Sequence, residues 1–297
     1  MKKETLDALL NAMKEYLPKF HEYLKAKAKA LGIKGSLPWY DMFAPLGSIE
    51  KKYTVDEAKE YLINIFSTFD KDLTDMVRTA FEEDWIDFFP REGKVGGAFC
   101  AGLEAHKQSR VLANFDGSFN DIVTLAHELG HAYHGKQIED HRPLNTGYTM
   151  PVAETASNFN ELIIVNDAIS KAEGGEKISL IESQIQDCTQ IIVDIYSRFL
   201  FEDEVIRRRK NKFMFADELE AIMLDAQKQA YGDGLDPDFH FGIFWGDYPT
   251  HDRFWHSTGA TKYNWNAGVR GMKNQITRIG SGTPYSCIYV YPLSEDN

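Results

Sequence analysis

A chain of 297 residues, 43% hydrophobic and 13% aromatic, is long enough to bury a large core in one or two domains. Its formal net charge of −12 argues against nucleic acid or an anionic membrane surface as a partner, because phosphate binding needs a basic surface. Cys100, Cys188 and Cys287 are odd in number and far apart, which implies neither a disulfide framework nor a cysteine zinc site and fits a reducing compartment. No secretory leader follows Met1 and no apolar run is long enough to span a membrane, so the cytoplasm is the expected location.

Along the chain, Leu6, Leu9, Leu10, Met13, Leu17, Phe20 and Leu24 follow helical spacing from Thr5 to about Leu31, with Pro18 as a kink point and Gly32 and Gly35 beyond the end. The proline-punctuated stretch Leu37-Pro38-Trp39-Tyr40-Asp41-Met42-Phe43-Ala44-Pro45-Leu46 predicts an irregular connector pinned into the core by Trp39 and Phe43. Thr54-Val55-Asp56-Glu57 is a capping box opening a helix to about Phe69, and a second helix runs from Asp70 or Lys71 to roughly Glu83. Trp85, Phe88 and Phe89 cluster before Pro90. Two short apolar runs, 98–100 and 110–115, are bounded by turn residues and predict strands.

Asp116-Gly117 makes a turn, and Ser118 with Asp121 forms a capping box that opens a helix to about Gly135. After a polar loop, Pro151 suits the first turn of a helix that reaches Lys171, and Gly174-Gly175 stops it. A long helix from Ile178 to Lys210 and another from Asp217 to Tyr231 follow, the latter closed by Gly232-Asp233-Gly234. Beyond Asp236-Pro237 no periodicity assigns an element. The expected fold is mainly α with a small β-sheet beside the helix over 118–135.

That helix contains His127-Glu128-Leu129-Gly130-His131. Residues four apart on an α-helix differ by about 40° in rotation and roughly 6 Å in rise, so His127 and His131 project from one face and can hold one metal ion. Glu128, about 100° round from His127, is placed to act on a water beside that ion as general base. A catalytic zinc site needs a third protein ligand. Gln137 stands where a three-histidine extension of the motif would put the third, and His134 is about 10.5 Å along the axis from His127, out of reach of the same ion. The remaining source is a carboxylate on the following helix: Glu154, a lone carboxylate in an otherwise small and apolar segment, is the first candidate, and Glu161 two turns on is its competitor. Asn158 or Glu161 would then hydrogen-bond a ligand histidine. A strand lying just before the motif helix can offer its edge to an extended peptide substrate, with Phe99 and Cys100 as candidate contacts, and a plain structural hairpin is the alternative reading of the two runs.

Several separate segments together resemble the oligoendopeptidase F family, which belongs with the thimet-oligopeptidase-like zinc peptidases. These are Gly97-Ala98-Phe99-Cys100, Asn114-Phe115-Asp116-Gly117-Ser118, the motif through His134, Ala153-Glu154-Thr155-Ala156-Ser157, and the 37–46 connector. The resemblance implies a zincin-like helical catalytic domain over 1–297, with 1–237 similar to the C-terminal half of the family and 238–297 an atypical tail. It implies one zinc ion on His127, His131 and Glu154, with Glu128 as base and short unfolded oligopeptides as substrates. It also implies an N-terminal wall of the substrate channel that this chain does not contain. In the family a histidine followed by tyrosines serves the oxyanion, and Tyr263, with His256 second, is the match expected here. Two other readings compete: a zinc-stabilised helical protein that binds peptide without turnover, and a zinc carboxypeptidase.

Overall fold

The computed structural model describes residues 2–47 and 51–236. Its elements in order are helix α1 (Lys3–Ala30), α2 (Val55–Phe66), α3 (Lys71–Glu82), strands β1 (Ile86–Asp87), β2 (Phe99–Leu103) and β3 (Gln108–Leu112), then α4 (Phe119–Ile138), α5 (Met150–Lys171), α6 (Gly174–Thr189), a π-helical turn (Gln190–Asp194), α7 (Ile195–Arg209) and α8 (Ala216–Tyr231). The architecture is mainly helical, as the spacing predicts. Among the described residues no helix is long and apolar enough to cross a membrane. These residues divide into two compact units, 2–47 with 181–236 and 51–180.

The unit over 51–180 carries the motif. Its core joins Leu62 and Phe66 of α2, Leu73, Met76 and Val77 of α3, Ile122, Leu125 and Leu129 of α4, and Ile164 of α5, all essentially inaccessible to water. Each such side chain contributes about 1.5–3 kcal/mol through burial. The helices start where the sequence supplies caps: Thr54 and Glu57 form a reciprocal capping box at α2, and the Asp70 carboxylate accepts the Leu73 N–H at α3. The three-stranded sheet has the order β1-β3-β2, with β1 parallel and β2 antiparallel to β3. β2 and β3 form the expected pair, each differing slightly in extent from the apolar runs. β1 is a third strand the sequence did not announce, because only two residues of the Trp85–Phe89 aromatic cluster join the ladder.

α4 packs on both β2 and β3. At its start the Ser118 hydroxyl accepts the Asp121 N–H at 3.2 Å, and the Asp121 carboxylate accepts the Ser118 N–H at 2.9 Å. Ser118→Ala is therefore expected to cost about 1 kcal/mol of stability, read as a lower midpoint in urea with an unchanged slope.

In the unit over 2–47 and 181–236, α1 buries Leu6, Leu10, Met13, Leu17 and Leu24 and retains Pro18 within the helix. Lys27, fully enclosed, donates to Glu182 at 2.6 Å and to Gln186 at 2.8 Å, so this buried charge is paired and hydrogen-bonded. The connector after α1 is anchored by Leu37 and Met42 and by the expected Trp39, half-buried and edge-on against the enclosed Tyr231, whereas Phe43 is half exposed. The single helix expected over 178–210 starts earlier, at Gly174, and contains the π-helical turn.

Candidate metal centre

Gly130 sits between the two motif histidines on α4, and its missing side chain sets how close α5 can come. A Cβ there would lie 2.6 Å from the Ser157 Cα and 2.8 Å from the Ala156 carbonyl oxygen. The two helices thus touch main chain to main chain. Asn160 reinforces the crossing by donating its amide N–H to the Ala126 carbonyl at 3.2 Å. This close approach carries Glu154, on the first turns of α5, onto the histidine pair.

The His127 and His131 Nε2 atoms are 3.1 Å apart, and Glu154 Oε2 is 3.3 Å from the first and 3.4 Å from the second. Four ligands at about 2.0–2.1 Å around a tetrahedral zinc ion are separated by about 3.3–3.4 Å. Three lone-pair atoms at nearly that spacing, two imidazole nitrogens and a carboxylate oxygen, fit such an ion. Among the described residues this is a group of histidine and carboxylate ligands with the geometry to hold a metal. His127 Nδ1–H donates to Glu161 Oε1, so its Nε2 lone pair points inward toward Glu154 and His131. Burial of the His127 ring opposes its protonation, but the hydrogen bonds to Glu154 and Glu161 outweigh this and hold the group at about 10. Glu154, Glu161 and Glu128 thus all favour positive charge on the ring, and a metal ion bound at Nε2 would take the place of the proton there.

Glu128 is buried, and burial pushes its carboxyl above the usual range against the opposing pull of His127 and His131. Its side chain makes no hydrogen bond among the described residues, which leaves the oxygens free to take a proton. Cys100 on β2 lies close enough to feel that charge: burial first, then Glu128, pushes its thiol up to about 12, so it stays a neutral apolar contact. Phe99 beside it is 40% exposed. β2 is one of the sheet's two edge strands, its outer side unpaired among the described residues.

The structure thus gathers His127, His131, Glu154, Glu161 and Glu128 into one cluster, with Cys100 beside Glu128. Asn158 is half-buried on α5, next to Ser157, and Glu161 meets His127 at Nδ1. Tyr263 and His256 lie outside the described residues. Two neighbours were given no role from the sequence, although Ser157 closes one of the segments that carry the family resemblance. Ser157, fully buried, donates its hydroxyl to Glu154 Oε2 at 2.8 Å. Tyr148, an aromatic residue in an otherwise polar loop, stacks its ring on His134 with centroids 4.2 Å apart. His134 is not part of the ligand set, and its buried Nδ1 has no hydrogen-bond partner among the described residues.

Comparison with known proteins gives this arrangement a lineage. The chain is 25% identical over 282 residues to oligopeptidase PepF of Bacillus subtilis, an alignment covering 93% of this chain and 41% of that protein. It is 31% identical over 172 residues to the chromosomal oligoendopeptidase F of Lactococcus lactis subsp. cremoris, covering 58% of this chain and 28% of the relative. The crystal structure of oligoendopeptidase-F from Enterococcus faecium superposes with a TM-score of 0.56 at 16% identity, over 97% of this chain and 47% of that one, which shows a shared fold. The chain spans less than half the length of these relatives. Residues 1–242, which include every side chain of the cluster, match Peptidase family M3, and the chain belongs to that family.

Proposed function

We propose that this chain is a zinc-dependent metalloendopeptidase, or its catalytic portion, acting on short unfolded oligopeptides. The observation that carries the proposal is the triangle of His127 Nε2, His131 Nε2 and Glu154 Oε2 at tetrahedral spacing, with a buried Glu128 beside it. Zinc in that triangle would polarise the scissile carbonyl and acidify an attacking water. Glu128 would take the proton as the water attacks and pass it to the leaving amine. Glu161 would keep the His127 ring in the tautomer that presents Nε2. The free edge of β2 would hold an extended peptide by main-chain hydrogen bonds, with Phe99 and Cys100 against its side chains. Tyr263 would serve the oxyanion. A cytoplasmic location, read from the cysteine usage, completes the proposal.

The test is metal analysis together with a quenched fluorescent peptide. The expected result is about one zinc per chain and cleavage that stops on chelation and returns with zinc. Free zinc at a hundred times its dissociation constant should stabilise the fold by about 2.7 kcal/mol, seen as a raised melting temperature. Glu154→Ala should lose both that shift and the bound metal. A chain that cleaves equally well after exhaustive chelation would overturn the proposal.

A further inference from the structure

We propose that Ser157 is a positioning residue of the metal centre, its hydroxyl holding the Glu154 carboxylate in the orientation that completes the ligand triangle. This rests on the reading of His127, His131 and Glu154 as metal ligands. Ser157 lies at the α4–α5 crossing, its Cα 2.6 Å from where a Cβ on Gly130 would stand. Its side chain is fully enclosed, and a buried hydroxyl costs free energy unless it is bonded. A serine inside a helix commonly donates to the carbonyl one turn back. Here the proton goes instead to the side chain three residues back, at 2.8 Å from Glu154 Oε2, and no other acceptor for it occurs among the described residues.

The bonded oxygen is the same one that faces both imidazoles. A glutamate has three rotatable side-chain bonds, and without an anchor its carboxylate samples rotamers that point away from the histidines. The hydroxyl removes that freedom before a cation arrives, so less ordering is left to be done on binding. Glu161 does the same for His127 from the other side. Two of the three ligands are thereby oriented by neighbours on α5, and the spacing Glu154, Ser157, Glu161 places all three groups along one stripe of that helix.

The experiment compares the parent chain with Ser157→Ala and Asn160→Ala by chelator competition for zinc, by the visible absorption of the cobalt-loaded protein, and by metal-free melting. Asn160→Ala removes a buried hydrogen bond of the same crossing without touching Glu154. Ser157→Ala is expected to weaken zinc binding about 10–100-fold and to alter the cobalt spectrum, with little change in metal-free melting. Asn160→Ala is expected to melt earlier and to keep its zinc affinity within about threefold. If Ser157→Ala binds zinc like the parent, or if Asn160→Ala loses as much affinity, the positioning role is wrong. A parent chain that takes up no zinc would refute the ligand reading itself.

Discussion

Glu128→Gln is expected to bind zinc like the parent chain while cleaving the fluorescent peptide about 10²–10⁴ times more slowly. Glutamine preserves the shape of the side chain, and Glu128 is not in the ligand triangle, so the metal should stay. What disappears is the proton acceptor. The expectation draws on two features of the carboxylate: it is enclosed, and its oxygens are bonded to nothing among the described residues. A glutamate kept only for structure would have its burial offset by hydrogen-bond partners. Metal content by atomic absorption and single-turnover cleavage separate the two effects. Full activity in this variant would place the base elsewhere. A parent chain that binds zinc and peptide and cleaves nothing would instead make this a zinc-stabilised binding protein, and cleavage confined to peptides with a free C-terminal carboxylate would make it a carboxypeptidase.

How much of this could be read in the sequence depended on the range of the interactions involved. Helix starts were legible because capping chemistry is local: Thr54 with Glu57 and Ser118 with Asp121 act within four residues, and both boxes form. The facing of His127 and His131 was legible for the same reason, since helical rotation alone puts them on one side. The small, apolar segment around Glu154 favoured it over Glu161, but the side of His127 that each one meets was not legible, because it depends on how α5 crosses α4, and that crossing is set by contacts between residues more than twenty positions apart. The structure places Glu154 on the Nε2 side of His127 and Glu161 on the Nδ1 side. The connector misled for a related reason. Trp39 does pack on the buried Tyr231, but size says nothing of direction: the large Phe43 is half exposed, and the smaller Leu37 and Met42 are enclosed. β1 was invisible because two residues carry no periodicity, and the π-helical turn after Thr189 because one extra residue within a helix leaves no compositional mark.

Gly130→Ala should show most directly that the helix crossing makes the site. On helix propensity alone the change would stabilise α4 by about 1 kcal/mol, since glycine is the poorest helix former after proline. Packing opposes it. The added methyl would sit 2.6 Å from the Ser157 Cα and 2.8 Å from both the Ser157 nitrogen and the Ala156 oxygen. These are main-chain atoms, so no rotamer change relieves the overlap, and α5 has to move away. Overpacking of this kind costs about 1–3 kcal/mol, enough to reverse the propensity gain. The displacement also carries Glu154 off the histidine pair, and ligand atoms spaced for a tetrahedral ion at 3.1–3.4 Å tolerate little of it. The expected result is a lower metal-free melting temperature together with zinc affinity reduced at least about 100-fold and a matching loss of peptide cleavage. Substituting Ser157 by glycine in the same chain should not rescue it, because the clashing atoms remain. A Gly130→Ala protein that melts higher than the parent and still holds zinc would mean that α4 and α5 do not meet at this distance, and the ligand triangle built on their contact would fall with it.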